Sequence, residues 1–361
     1  MISINRIELV AALTEVKRVK VSKKTSLPIL QNVYLYLKDG YLHSFNSDGD
    51  NSIDYKIEAV DDPGNFKAAV NLIELDKIVR KFKSDILFLS VEGNYLVINN
   101  NSTSIKLENS AAAYPMLPNT PNELLFELKR DQFINLFKNG LYAVSKSQSR
   151  PILTGFNVIS DGKTLEVNTT DSYRLAHTQV EFNGTEDLNI TIKGSFIDII
   201  LKSKLKDDIK VYKDDYLIML QAGSITYYSR LMEGNYPAID RLLPSDFSTH
   251  LIMEDLKGVI DALELAKITL EKEERAYIVI ELIDGKSIIT TPKNDFNHEI
   301  KGYYELDDLI IRANPQYLID ALKQLDPKKP VSLNFVSNLR PFTLTQENDD
   351  TTHLLTPIRT R

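Results

Sequence analysis

Apolar residues three and four positions apart recur at three widely separated places in the chain. The sets are Ile7, Val10, Leu13 and Val16; Phe133, Phe137, Leu141 and Val144; and Leu256, Val259 or Ile260, Leu263 and Ala266. That spacing puts each set on one helical face. Each predicted helix is followed by two β-prone runs joined at Asp-Gly, namely Asp39-Gly40, Asp161-Gly162 and Asp284-Gly285. Asp-Gly between such runs is a strong hairpin signal. The first two hairpins open on Pro28-Ile29-Leu30 and Pro151-Ile152-Leu153. A proline has no N–H for a ladder, so each is expected at the start of a strand. Second helical patterns begin at Leu72, Lys193 and Asn314, and further strand pairs turn at Glu92-Gly93, Asp214-Asp215 and near Asn338. The order helix, hairpin, helix, hairpin thus returns with a period of about 120 residues. The pattern predicts an α+β chain of three repeated units, at residues 1–122, 123–248 and 249–361.

Bulk properties narrow the class. The chain has 361 residues, 43% hydrophobic and 26% charged, which suits a globular protein. It has no apolar run near the roughly 20 residues that cross a bilayer, and no signal-peptide core at its start. The absence of cysteine excludes disulfides and thiolate metal sites and fits a reducing, cytoplasmic setting. The net charge of −7 argues at first against nucleic acid. Basic residues are nevertheless clustered: Lys17, Arg18, Lys20, Lys23 and Lys24 trail the first helix, and Lys202, Lys204 and Lys206 trail the second helix of the middle unit. Such runs also complement a helix dipole, so composition alone leaves their role open.

Catalytic chemistry is poorly supported. The five histidines, His43, His177, His250, His298 and His353, never fall at i, i+4 spacing. No phosphate-binding glycine loop or nucleophile elbow occurs. The run Asp48-Gly49-Asp50-Asn51-Ser52 starts like a calcium loop but has Ile53 at the sixth position and Ala59 at the twelfth, so no metal is expected. Asp171, Ser172 and His177 share one segment, whereas a triad converges from separate elements. No cofactor is expected either. An enzyme with a site at a junction and a β-rich assembly protein stand as the competing readings.

Several motifs together resemble the bacterial DNA polymerase III β subunit family, the β sliding clamps. They are Ser149-Arg150-Pro151-Ile152-Leu153-Thr154-Gly155, Thr170-Asp171-Ser172-Tyr173-Arg174-Leu175-Ala176, and Glu233-Gly234-Asn235-Tyr236-Pro237 followed by Leu243-Pro244. Further on come Asn314-Pro315-Gln316-Tyr317-Leu318, Leu339-Arg340-Pro341-Phe342 and the terminal Leu354-Leu355-Thr356-Pro357-Ile358-Arg359. Leu27-Pro28-Ile29-Leu30 also fits, so the resemblance spans essentially the whole chain. Tyr173 stands where the family often has His, and Thr356 where a larger apolar residue is common.

The resemblance implies three clamp-type units of paired helices on antiparallel sheets, two chains joined head to tail in a ring, and no catalysis. Its partners would be encircled double-stranded DNA, a second copy of the chain, and polymerase, loader and repair proteins carrying short hydrophobic motifs. A ring holds DNA topologically, so an acidic chain with modest Lys and Arg on inner helices is consistent with it. Small residues such as Ala12, Gly140, Ala143 and Ala262 would let paired helices approach closely, or simply favour helix or fill a core; the sequence does not separate the two.

Carried onto matching positions, the resemblance places a partner-peptide pocket at Leu153, Thr170, Ser172, Tyr173, Arg174, Leu175 and Pro244, with Leu339, Pro341, Leu354, Leu355, Thr356, Pro357, Ile358 and Arg359. Apolar residues at a terminus otherwise expected to fray point the same way. Arg174 and Arg359 are expected to hydrogen-bond peptide carbonyls. Lys24, Lys146 and Arg150 are the candidate DNA contacts, all to phosphate. At ring closure, Lys77, Arg80, Lys81 and Ile105 of the first unit would face Ile268, Leu270, Glu271 and Glu273 of the third, with charge setting orientation and the apolar residues affinity.

Overall fold

The computed structural model describes residues 1–60, 65–184, 187–239, 241–270 and 276–359. Among them are six α-helices: α1 (Arg6–Val16), α2 (Leu72–Lys81), α3 (Arg130–Lys138), α4 (Gly194–Lys202), α5 (Leu256–Leu270) and α6 (Pro315–Leu322). All lie where the periodicity places them. Three begin at an asparagine whose side chain caps the first turn: Asn5 accepts from the N–H groups of Ile7 and Glu8, Asn71 from Glu74, and Asn314 from Gln316 and Tyr317. Each such cap is worth about 1 kcal/mol.

The apolar stripes differ in part from expectation. On α1 the buried face is Leu9, Ala12, Leu13 and Val16, while Ile7 is exposed and Val10 half-buried. α3 buries Phe133, Leu136 and Phe137 but stops at Lys138, so Leu141 and Val144 lie beyond it. Gly140 sits at that break because a Cβ there would meet the Phe156 ring at 2.6 Å, so its smallness serves the packing of a sheet residue rather than a helix pair. Pro28 and Pro151 do not start strands. Each opens a 3-10 turn, Pro28–Gln31 or Pro151–Thr154, ahead of the strand, where its missing N–H costs nothing.

The first and third Asp-Gly pairs form tight two-residue turns with both residues left-handed, Asp39 (φ 53°) with Gly40 (78°) and Asp284 (51°) with Gly285 (74°). The middle one is longer. Only Gly162 has positive φ, and the Asp161 carboxylate takes the N–H groups of Lys163 and Thr164 at 2.9 and 2.7 Å, which holds its pKa below the ordinary value.

The chain forms two compact bodies that cut across the sequence repeat: residues 1–133 with 195–231, and residues 134–194 with 232–361. The first holds a four-stranded sheet and an eight-stranded sheet. In the latter, Asn51–Glu58 from the first repeat pairs antiparallel with Ile225–Arg230 from the middle one. The second body holds a four-stranded and a nine-stranded sheet. Here Arg174–Glu181 of the middle repeat pairs with Thr351–Leu355 near the chain end. The third repeat's core gathers α5, α6 and both sheets around Leu263, Ile280, Leu318, Leu333 and Phe342. Fully burying a side chain of this size contributes about 1.5–3 kcal/mol.

Candidate functional site

The nine-stranded sheet of the second body carries a pocket at the joint between its middle-repeat and third-repeat strands. The segment Thr170–Arg174 makes the turn that shapes it. Asp171 Oδ1 accepts the N–H groups of Tyr173 (3.0 Å) and Arg174 (3.1 Å), and Asp171 N–H donates across the turn to the Arg174 carbonyl at 3.3 Å. Ser172 pays for this turn with a left-handed backbone, φ 81°. The chain end closes the other side: Thr356 donates both its N–H and its hydroxyl to the Tyr173 carbonyl, at 2.9 and 3.0 Å.

Arg174 is the post of the site. It is buried, its Nε donates to Asp171 at 2.9 Å, and its Nη1 donates to Asp320 on α6 at 2.6 Å. The guanidinium carbon lies 4.5 Å from the Tyr317 ring centre and 5.3 Å from that of Tyr142. Burial opposes the charge, the Asp320 and Asp171 carboxylates favour it, and the balance lifts Arg174 above its ordinary pKa. Beneath it, the Tyr142 hydroxyl donates to the Leu175 carbonyl at 3.3 Å and contacts His353 Nδ1 at 2.9 Å. Burial holds His353 down to about 4.

The pocket encloses about 230 Å³ and is lined by Arg150, Thr170, Ser172, Tyr173, Arg174, Leu175, Pro237, Leu242, Pro341, Leu354 and Thr356. Of these, Leu175 and Leu354 form the apolar floor, backed by the buried Ile239, with Tyr236 and Leu243 packed against the three. Thr170, Ser172, Tyr173, Arg174, Leu175, Pro341, Leu354 and Thr356 are therefore brought together as the sequence anticipates. The others are not. Leu355 points into the third repeat's core, because neighbours on a strand face opposite ways. Leu153 is buried, Pro244, Pro357 and Ile358 are half-buried outside the lining, and Leu339 is exposed. Arg359 donates to the Leu339 carbonyl at 3.3 Å. Arg174 lines the pocket while its Nε and Nη1 are held by two carboxylates. Pro237 and Leu242 were missed, although Pro237 lies inside the Glu233–Pro237 motif. Arg150, expected at DNA, lines the mouth with Nη1 3.5 Å from Ser172 Oγ.

The remaining expected residues fall as follows. Lys24 and Lys146 are exposed, in the loops ahead of the two 3-10 turns. In the first body Lys77, Lys81 and Ile105 line a groove of about 640 Å³ together with Phe82 and Lys83. Arg80 instead ties α2 to α1, donating to Asp76 at 2.8 Å and to Thr14 at 2.6 Å. In α5, Ile268 is 63% exposed but Leu270 only 3%, since it continues the inward stripe of Leu263 and Ala266. Leu270 therefore belongs to the core and not to an interface. Glu271 and Glu273 lie outside the described residues.

Residues 1–118, 127–238 and 240–359 match, in order, the N-terminal, central and C-terminal domains of the DNA polymerase III beta subunit. The chain belongs to that family. It is 29% identical over 377 residues to the beta sliding clamp of Streptococcus pneumoniae serotype 4, covering 99% of both chains. To that of Bacillus subtilis strain 168 it is 27% identical over 363 residues, covering 94% of each. The crystal structure of the Bacillus subtilis DNA polymerase sliding clamp superposes with a TM-score of 0.91 at 25% identity, over 100% of this chain and 99% of the other. That of the beta subunit from Streptococcus pyogenes DNA polymerase gives 0.92 at 25% identity, over 99% and 100%. The fold is thus three α+β clamp units, and the function is that of a sliding clamp in DNA replication, a processivity subunit without catalysis of its own. No described helix is long and apolar enough to cross a membrane.

Proposed function

We propose that two copies of this chain, each of three units near 1–122, 123–248 and 249–361, close head to tail around duplex DNA in the cytoplasm. Partner proteins of the replication and repair machinery then dock through the pocket beside Arg174. The preformed apolar pocket supports the second half of this reading. Its floor is apolar, Leu175 and Leu354 backed by Ile239, and its walls are held by Arg174 before any partner arrives. An apolar cleft with a few fixed polar groups suits a short peptide. Two large apolar side chains of a partner would contribute about 3–6 kcal/mol before the entropy of binding is deducted. Single motifs are therefore expected to bind in about the micromolar range.

Removing residues 356–361 takes away Thr356 and with it both bonds to the Tyr173 carbonyl. Binding of a labelled hydrophobic peptide is expected to be abolished, with thermal unfolding little changed. Wild-type affinity in the truncated chain would place the peptide elsewhere. For the ring, the groove at Lys77, Lys81 and Ile105 and the exposed Ile268 are the surfaces offered. Ile268→Asp is expected to dissociate the dimer in sedimentation, and a wild-type monomer at micromolar concentration would refute the contact. Retention on circular but not linear DNA tests encirclement. Lys24→Ala with Lys146→Ala is expected to lower the salt dependence of loading, and these two exclude the confusion that Arg150 brings as a pocket residue.

A further inference from the structure

The first body contains a copy of the turn that shapes the pocket. Asp48 Oδ1 accepts the N–H groups of Asp50 (2.9 Å) and Asn51 (2.7 Å), as Asp171 does for Tyr173 and Arg174. Gly49, at φ 97°, stands where Ser172 stands. The next strand carries the correspondence on. Ser52 is opposite Tyr228 where Leu175 is opposite Leu354, and the Arg230 N–H reaches the Asp50 carbonyl at 3.3 Å where Thr356 reaches Tyr173. Leu27 precedes Pro28 as Arg150 precedes Pro151.

Over this second turn lies a cavity of about 380 Å³. Tyr228 takes the place of Leu354, Arg230 that of Thr356, and Leu27 that of Arg150. Leu217, opposite Arg230 on its neighbouring strand, takes the place of Pro341, and Tyr114-Pro115 stands where the other pocket has Tyr236-Pro237, with Pro237 in its lining and Tyr236 packed behind its floor. We propose that this cavity is a second peptide groove, which takes a short extended segment of a partner protein through two apolar side chains. The inference rests on the reading of the Arg174 pocket as a peptide site.

The walls define the ligand. Leu27 in place of Arg150 removes a cation from the mouth, and Asp50 and Arg230 line the groove with opposite charges, so a net charge on the peptide gains nothing. Met116 is 96% exposed and Leu27 52% exposed, an unusual outlay of apolar surface at the rim of a cavity. Methionine's flexible thioether suits such a surface to peptides of varied sequence.

The test uses the full chain and labelled octapeptides with two leucines one to three residues apart, flanked by Ser, Asp or Lys. Calorimetry is expected to give two sites per chain, and the Met116 methyl resonance to move on addition of peptide. Leu27→Asp with Met116→Asp, both on exposed side chains, is expected to remove one site, with at least a tenfold loss of affinity there. Tyr173→Asp is expected to remove the other. One site per chain, an unmoved Met116 methyl and complete loss in Tyr173→Asp would overturn the second groove and leave the Arg174 pocket standing. Binding that survives Tyr173→Asp but not the Leu27/Met116 change would support the second groove and count against the first. A Met116 shift produced by protein concentration alone would assign the cavity to a second copy of the chain and overturn the proposal.

Discussion

The turns Asp48–Asn51 and Asp171–Arg174 share a backbone and differ in what anchors them. Asn51 is itself neutral: its Oδ1 accepts the Ser229 hydroxyl at 2.9 Å, and its Nδ2 reaches Ser195 Oγ at 3.4 Å and the Asp48 carboxylate at 3.5 Å. Arg174, in the corresponding place, is a buried cation between two carboxylates and two aromatic rings. One of those carboxylates, Asp320, and one ring, Tyr317, come from α6 in another repeat. A local motif is thus enough to make the turn. How firmly the turn is clamped depends on what a distant helix brings to it.

The comparison is broken most strongly by removing the anchors. Arg174→Ala strands two partly buried carboxylates, and a loss of about 3 kcal/mol is expected. Asn51→Ala gives up the hydrogen bonds of a neutral amide, the one to Asp48 being long at 3.5 Å, for a loss of about 1 kcal/mol. Urea unfolding of the two variants measures the difference, and equal losses would mean that the α6 clamp adds nothing.

Acid separates the two regions next. His353 sits where the first body has Tyr227, and both are buried. His353 has a pKa of about 4 in the folded chain against 6.5 when unfolded, so the unfolded state takes up a proton that the native state refuses. Stability is expected to be undiminished above pH 6.5 and to fall as the pH drops from there to about 4, by up to about 3 kcal/mol. Tyr227, whose pKa burial raises, contributes nothing in that window. His353→Gln should flatten this part of the pH–stability profile; an unchanged slope would assign the acid sensitivity to other groups.

The smallest effect sharpens the likeness of the turns themselves. The Cβ added by Gly49→Ala meets nothing nearer than the Leu30 methyl at 4.0 Å, so the change reads backbone strain alone. A loss of about 0.5–1 kcal/mol is expected, after the entropy gained by stiffening the unfolded chain. Ser172→Gly should shift stability by less than about 1 kcal/mol and weaken peptide binding through a looser turn. Thermal unfolding and peptide titration check both.

Much of this was legible in the residues. Helices α1 to α6 follow from apolar spacing, although the α1 stripe is turned by one position and α3 ends before Leu141. Eight lining positions of the pocket could be placed by resemblance to a known motif. Leu355 could have been excluded by alternation alone, since Leu354 and Leu355 cannot both face one side of a strand. The clamp on Arg174 was not legible, because nothing near it in sequence announces Asp320, Tyr317 or Tyr142. Leu270 extends the stripe of Leu263 and Ala266, so its burial was available from helical spacing, while the exposure of Ile268 followed from the same count.

By itself the sequence determined what short-range physics determines: where the helices lie, the Asp-Gly turns, and the return of both every 120 residues or so. It could not decide which repeats share a sheet. The middle repeat gives its inner strands, Gly155–Ser160 to Leu188–Lys193, to the third repeat's sheet and its outer ones, Glu123–Leu128 with Ile209–Lys213 to Ile225–Arg230, to the first repeat's, through the pairings of Arg174–Glu181 with Thr351–Leu355 and of Ile225–Arg230 with Asn51–Glu58. Strand edges carry the same N–H and C=O groups whatever their side chains, so pairing partners far apart in the chain are selected by the packing of the whole body. The pocket exists only because that packing sets Leu354 beside Leu175 and Asp320 beside Arg174.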